Sequence, residues 1–513
     1  MCVCRKEGRI HMDLIKGMLP YFVNVRFILL CFVGSVAGLF VGSIPGLSVS
    51  MATALLVSIN YTWKTTDAMA TIMGVYVVGV FSGALSAILI NIPGAPASVV
   101  TTLDGYPLAK RGEAYKALLY ATIYSFVGSV FGLIALGVLA KPVTSLALKF
   151  QPMDYFLLAL FGLATVGSLT SKSFSKGLIS ALLGVFLSLI GLDSVVGTPR
   201  LTFGIQDLKS GIATVPALVG LFGFAEVLSV VAEGAVDGEV NGIQKEVIKI
   251  KTVLKEFWRS LYYCTIGTFV GALPGAGGPV AAFLAYGEAK RIVKKPSRPF
   301  GEGAVEGIVA SESANNACIG GALIPMLTLA IPGDAVTAII LSVFYIHGLQ
   351  PGPTFLMTSK ASFYSIMAGG LLGCVFLLLL GLLVAPRISK IINVPKRILL
   401  PIVTVLCVIG SYACNNRLFD VGMMFFFGVL GCLLRTRGYS AAPVTLGLVL
   451  GGMMDSNFRR AVSLASTASN PLVGLFWRPI TMILLVLTVG TIVANVPAVK
   501  RMMNRRKTEK AKE

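Results

Sequence analysis

A chain of 513 residues that is 55% hydrophobic and only 13% charged has too few polar groups to cover a soluble globule of its size. Its net charge of +20 does not mark a nucleic-acid binder, because the basic residues form short clusters between apolar stretches and not one contiguous face. With a mean hydropathy of +0.84, the composition excludes a soluble enzyme and predicts an all-α polytopic membrane protein, with the lipid bilayer as its solvent and about 10–12 transmembrane helices at roughly 20 residues each.

The chain opens with a basic segment, residues 1–19, in which Arg5, Lys6 and Arg9 precede the apolar run through Ile28, Leu29 and Leu30. That run is too long for a signal peptide and no small-residue cleavage site with a soluble domain follows it, so it reads as the first span; Met12 is an alternative start. Cys2 and Cys4 are close-set but have no second pair, so no metal site is expected of them. A first structural half is expected over residues 20–235. A polar connecting loop follows over 236–256, and a second half over 257–495. The tail, 496–513, carries Lys500, Arg501, Arg505, Arg506, Lys507, Lys510 and Lys512. That cluster and the run Lys245, Lys249, Lys251 and Lys255 place the C-terminus and the connecting loop on the cytoplasmic side.

The halves are inferred from duplication. Gly38, Gly42, Pro45 and Gly46 recur at the same mutual spacing as Gly267, Gly271, Pro274 and Gly275; Pro93 and Gly94 recur as Pro332 and Gly333. Two different motifs in one order at nearly one separation indicate an internal repeat. Each Pro-Gly pair interrupts an apolar stretch, since proline removes a backbone donor and glycine loosens the next turn. Backbone groups freed at membrane depth are tolerated only inside protein or along a watery cavity. Four discontinuous helices in matching positions of two halves are the pattern of a secondary transporter with its site at the midplane. Gly34, Gly38, Gly42, Gly267 and Gly271 are read as helix-packing glycines.

Ser311, Glu312, Ser313, Asn315 and Asn316 lie between the second pair of breaks. A carboxylate facing lipid at mid-helix would cost roughly 2.5–3.5 kcal/mol, so these groups must point inward, where their oxygens suit Na+ or a transferable proton. Half-helix N-termini, each worth about +0.5 of an elementary charge, supply positive potential for an organic anion in a segment almost without Lys or Arg. The expected substrate-binding residues are Pro45, Gly46, Asn91, Pro93, Gly94, Pro274, Gly275, Asn315, Asn316, Pro332 and Gly333. The expected cation-coupling residues are Glu312, Ser313, Asp334 and Ser48. Arg459 and Arg460, after Asp455, read as a membrane-surface anchor. Gly275, Gly277 and Gly278 are not a phosphate loop, since no Lys-Ser/Thr follows. His11 and His347 are isolated, no catalytic residue is expected, and neither cofactor nor metal is expected beyond a coupling Na+ or H+.

Taken together, the segments Gly38–Gly46, Ala87–Ala114, Gly267–Gly278 and Glu306–Asp334 resemble the large membrane subunit of the tripartite tricarboxylate transporters, the TctA family, over approximately residues 25–495. The family motifs fall on Gly42, Pro45 and Gly46, on Asn91, Pro93, Gly94 and Asp104 through Pro107, on Pro274 and Gly275, and on Glu312 to Asn316 with Pro332 to Asp334. The resemblance implies cation-coupled uptake of tricarboxylates or related carboxylates across a bacterial inner membrane, with a small membrane subunit and a periplasmic solute-binding protein as partners. Tyr76, Gly79, Ser82 and Gly83 keep only part of the family's Gly-rich Tyr motif. The competing reading is a stand-alone secondary transporter or exporter of a small organic anion.

Overall fold

The computed structural model describes residues 14–44, 47–60, 62–91, 93–169, 174–193, 197–233, 250–384, 396–466 and 475–495. Pro45, Gly46, Cys2, Cys4, His11, most of the connecting loop and the basic tail lie outside them.

The described elements are helical apart from one two-residue antiparallel pairing, β1 (Gly191–Leu192) with β2 (Pro199–Arg200). After the helix Leu14–Val23 come α1 (Val25–Ser43), α2 (Val49–Asn60), α3 (Thr65–Ile90), α4 (Val99–Leu108) and α5 (Ala114–Ala147). Next come α6 (Pro152–Leu169), α7 (Phe174–Ser188) and α8 (Thr214–Ala232). Then follow α9 (Phe257–Ala272), α10 (Gly277–Ile292), α11 (Val305–Leu329), α12 (Ala335–Ile346) and α13 (Lys360–Val384). The last four are α14 (Lys396–Asn415), α15 (Leu418–Thr436), α16 (Ala441–Ser466) and α17 (Pro479–Asn495).

The chain is thus an all-α polytopic membrane protein. Among the described residues six helical stretches are long and apolar enough to cross a bilayer, and six further apolar helices are only 10–17 residues long. The helices α11 and α16 are as long as the first group but are interrupted by polar residues, which is why hydropathy alone undercounts them.

Two compact units form, one from residues 1–145 and 215–432, the other from 146–214 and 433–513. In the first, α1 lies along α3 and α9 lies along α11. Both α3 and α11 are buried on every side, the signature of central helices. Glycines set the close approach. A Cβ on Gly38 would stand 2.7 Å from the Val75 carbonyl, and one on Gly267 2.2 Å from that of Ala314. On Gly42 it would stand 2.8 Å from the Gly79 carbonyl, and on Gly271 2.5 Å from that of Cys318. The contacts therefore keep the register of the duplicated motifs: Ala314 and Cys318 stand to Val75 and Gly79 in the chain as Pro332 stands to Pro93.

The helix ends match as well. α1 stops at Ile44 (φ −89°, ψ 120°) and α9 at Leu273 (φ −82°, ψ 121°). Each precedes a proline, whose ring forces its predecessor out of the helical region. α3 ends on Asn91 (φ 58°) and α11 on Ala330 (φ 57°), both left-handed, which turns the chain just before Pro93 and Pro332.

In the second unit, α16 packs on α6 and α7, and α17 on α6, around Met153, Leu157, Ala461 and Leu484. Buried Asp154 accepts from the Arg478 guanidinium (2.9 Å) and the Thr481 hydroxyl (2.5 Å). Arg459 is engaged with Asp455 (3.0 Å) and Asp193 (2.9 Å), and Arg200 with Asp455 (2.9 Å). This charge cluster holds the β1–β2 turn to α16.

Candidate functional site

Three of the four breaks converge within the first unit. The Gly275 amide donates to the Gly333 carbonyl at 2.8 Å, joining the third break directly to the fourth. Gly333 sits so close to α9 that a Cβ would be 2.4 Å from the Gly271 carbonyl and 2.6 Å from Ala322 Cα. Gly94 repeats the arrangement, 2.3 Å on the same measure from the Gly42 carbonyl and 2.9 Å from Gly83 Cα. The second and third breaks adjoin through Ala97, whose Cβ lies 3.4 Å from the position a Cβ on Gly278 would take. Pro274, Gly275, Pro332 and Gly333 are buried, Pro93 is half-buried, and Asn91 is exposed. Asn91 turns the chain at the end of α3 through its left-handed backbone (φ 58°).

Glu312 is 1% exposed, two turns into α11. Its Oε1 accepts from the Thr101 hydroxyl of α4 at 2.5 Å and its Oε2 from the Ser125 hydroxyl of α5 at 2.9 Å. Asn316 Nδ2 donates to Ser125 Oγ at 2.9 Å, to the Glu312 carbonyl at 3.0 Å and to Glu312 Oε2 at 3.4 Å. Thr101 Oγ1 is 3.3 Å from Ser311 Oγ. Among the described residues every hydrogen-bond partner of the carboxylate is uncharged, and the donors from Thr101, Ser125 and Asn316 offset the desolvation that burial imposes.

The two adjacent asparagines do different work. Asn316 is tied into the Glu312 cluster, whereas Asn315, 4% exposed, has an Nδ2 without a hydrogen-bond partner among the described residues and an Oδ1 packed onto Gly278. The Ser313 hydroxyl is likewise buried without a partner among them. Asp334 is the N-cap of α12: Oδ1 accepts the Thr337 amide at 2.8 Å, Thr337 Oγ1 accepts the Asp334 amide at 2.9 Å, and Oδ2 accepts the Tyr76 hydroxyl at 2.7 Å. Ser48 Oγ similarly accepts the Met51 amide at 3.0 Å at the start of α2. Among the described residues His347 meets the carbonyls of Val343 and Trp63.

Sequence reasoning did not assign Tyr76, Thr101 and Ser125 to the site. The signal for Tyr76 is its register: it precedes Asn315 by the same interval that separates Pro93 from Pro332. Nothing local distinguishes Thr101 and Ser125 from helix hydroxyls that bond back to their own turn.

Asp104 organises the approach to α11. Its Oδ1 accepts three backbone amides, of Gly301 (2.8 Å), Gly303 (3.0 Å) and Ala304 (2.9 Å). These amides can converge because Gly301 and Gly303 adopt φ of 92° and 109°. Asp104→Ala would orphan two buried donors, of Gly303 and Ala304, besides the part-buried amide of Gly301, and should cost about 2–3 kcal/mol or more. Asp104→Asn keeps an acceptor oxygen and should cost about half as much. Thermal unfolding in detergent should rank them wild type, Asn, Ala; equal midpoints would contradict the role.

Residues 28–446 match the profile described as the tripartite tricarboxylate transporter TctA family. An uncharacterized 52.8 kDa protein of the TAR-I ttuC' 3' region of Agrobacterium vitis is 35% identical over 436 residues, 84% of this chain and 86% of its own length. A protein of the TAR-II ttuC' 3' region of the same organism is 38% identical over 196 residues, 38% of this chain and 81% of its own length. No solved structure matches significantly. With multi-pass apolar helices and a family match over most of its length, the chain belongs to the tripartite tricarboxylate transporter TctA family, as a membrane component of that transport machinery.

Proposed function

We propose that the chain is the permease subunit of a binding-protein-dependent, cation-coupled secondary transporter that takes up tricarboxylates or related organic carboxylates. The observation that carries this reading is Glu312, a fully buried carboxylate with uncharged partners, on the helix whose far end forms one of the converging breaks. A carboxylate in that setting is suited to taking up and releasing a cation, Na+ or H+, as the site changes access. The matched packing of α1 on α3 and α9 on α11 supports two repeats meeting at a midplane site, with Thr101, Ser125 and Asn316 orienting Glu312. The word tripartite in the family's description supports a small membrane subunit and a periplasmic solute-binding protein as partners. The basic clusters support an inner-membrane protein with a cytoplasmic C-terminus.

Proteoliposomes containing the chain, a small membrane subunit and a periplasmic binding protein test the reading directly. Citrate should accumulate only when binding protein and an inward Na+ or H+ gradient are both supplied. Accumulation without the binding protein would favour a stand-alone carrier, and accumulation without any cation gradient would remove the coupling.

A further inference from the structure

The four interrupted helices offer four N-termini, but they are not equivalent receivers of an anion. The N-terminus of α12 already carries its own carboxylate, since Asp334 caps it and is held by Tyr76. Ser48 caps α2. The turn that precedes α4, Pro96–Ser98, is only three residues long, and the buried Ser98 hydroxyl in it has no partner among the described residues. The 16-residue α10 has Ala276 as its N-cap, no side chain caps it, and no acidic residue of its own occupies its first turn, while Asp334 Cβ lies 3.4 Å from where a Cβ on Gly277 would stand. Gly278, Pro279 and Val280 in that turn are half-buried. Beside it, the Asn315 amide is buried with Nδ2 unpartnered among the described residues, and Oδ1 is 2.2 Å from where a Gly278 Cβ would stand, so only glycine admits it there.

We infer that one substrate carboxylate is received at the N-terminus of α10, by the amides of Gly277 and Gly278 together with Asn315 Nδ2, and that the capped N-termini of α2 and α12 do not take the anion. This deepens the carrier reading and rests on it. Helix N-terminal amides and the macrodipole favour a carboxylate, and the amide of Asn315 supplies the side-chain donor that fixes its orientation. Asn316, whose Nδ2 is committed to Ser125 and the Glu312 carbonyl, is then a positioning residue for Glu312 and not a substrate ligand. The asymmetry arises at one equivalent pair: Tyr76 donates to the protein's own carboxylate on Asp334, and Asn315, its counterpart in the second half, donates to the substrate's.

The test uses the full chain in nanodiscs with radiolabelled citrate as probe. Asn315→Ala should weaken citrate binding about tenfold or more, the loss expected for one hydrogen bond to a charged group. Asn315→Asp, which sets a second negative charge against the carboxylate, should weaken it about a hundredfold or abolish it. Independently of any variant, citrate should slow hydrogen exchange of the amides at residues 275–282 in the wild-type protein. Wild-type affinity in both variants, or unchanged exchange there while citrate binds, overturns the assignment and leaves the carrier reading standing. Should the wild-type chain with its partner subunits neither bind nor transport citrate or another tricarboxylate, the carrier reading itself falls and takes this site with it.

Discussion

Glu312→Gln should abolish gradient-driven accumulation of carboxylate, by about a hundredfold or more, while leaving a folded protein. Glutamine is nearly isosteric, and its Oε1 can still accept from Thr101 while its amide donates to Ser125 Oγ, so each buried group in the cluster keeps a partner. What it cannot do is change charge. If a cation is carried by neutralising this carboxylate, the variant loses coupling without losing the pocket, and a loss of two decades corresponds to about 2.7 kcal/mol of transition-state or binding free energy. Uptake against a gradient should vanish, whereas exchange of labelled for unlabelled substrate across the same vesicles should persist. Glu312→Ala should behave worse, since it orphans Thr101 and Ser125 and lowers the unfolding temperature as well. Accumulation by Glu312→Gln at the wild-type level would remove Glu312 from the mechanism.

Gly333→Ala should be the most damaging single-methyl change at the breaks. The added carbon would stand 2.4 Å from the Gly271 carbonyl, 2.6 Å from Ala322 Cα and 2.7 Å from Ala322 Cβ, and none of those atoms can rotate away. The fourth break must then move off α9, which also strains the Gly275–Gly333 hydrogen bond at 2.8 Å. Overpacking of this kind costs about 1–3 kcal/mol, occasionally more, and here the displacement falls on the segment that joins two breaks. Uptake should fall at least tenfold and the unfolding midpoint should drop. Gly287→Ala, on an exposed turn of α10 with nothing within 4 Å, is the matched control; it should be neutral or stabilising by about 0.5–1 kcal/mol, as glycine-to-alanine changes within helices are. Equal behaviour of the two variants would show that the breaks have room to relax.

Much of the architecture could be read from the chain because its causes are local. Apolar stretches of bilayer length must be helices, since nothing else satisfies the backbone in lipid. A proline inside such a stretch ends the helix at the residue before it, which is what Ile44 and Leu273 do. The spacing of Gly38, Gly42, Gly267 and Gly271 reports the close helix approach that the Val75, Gly79, Ala314 and Cys318 carbonyls then occupy. Even the inward placement of Glu312 follows from the penalty for any other orientation.

Roles within the polar set were not legible, because they depend on which neighbour folding delivers. Asp334 and Ser48 were expected as cation-coupling residues; that each caps the helix that follows it was not legible, because it depends on the backbone geometry after each break. Asn315 and Asn316 are adjacent and chemically identical, so sequence offers no reason to separate them. A helix turns about 100° per residue, and that rotation points one at Ser125 on α5 and the other at Gly278 on α10. The sequence by itself determined that this is a membrane protein of apolar helices interrupted at recurring Pro-Gly motifs, with a buried carboxylate. Only the tertiary structure decided that Thr101 and Ser125 hold that carboxylate, that the third and fourth breaks touch, and that the uncapped N-terminus of α10 lies beside the Asn315 amide. Those contacts join residues far apart in the chain through packing that no local spacing encodes.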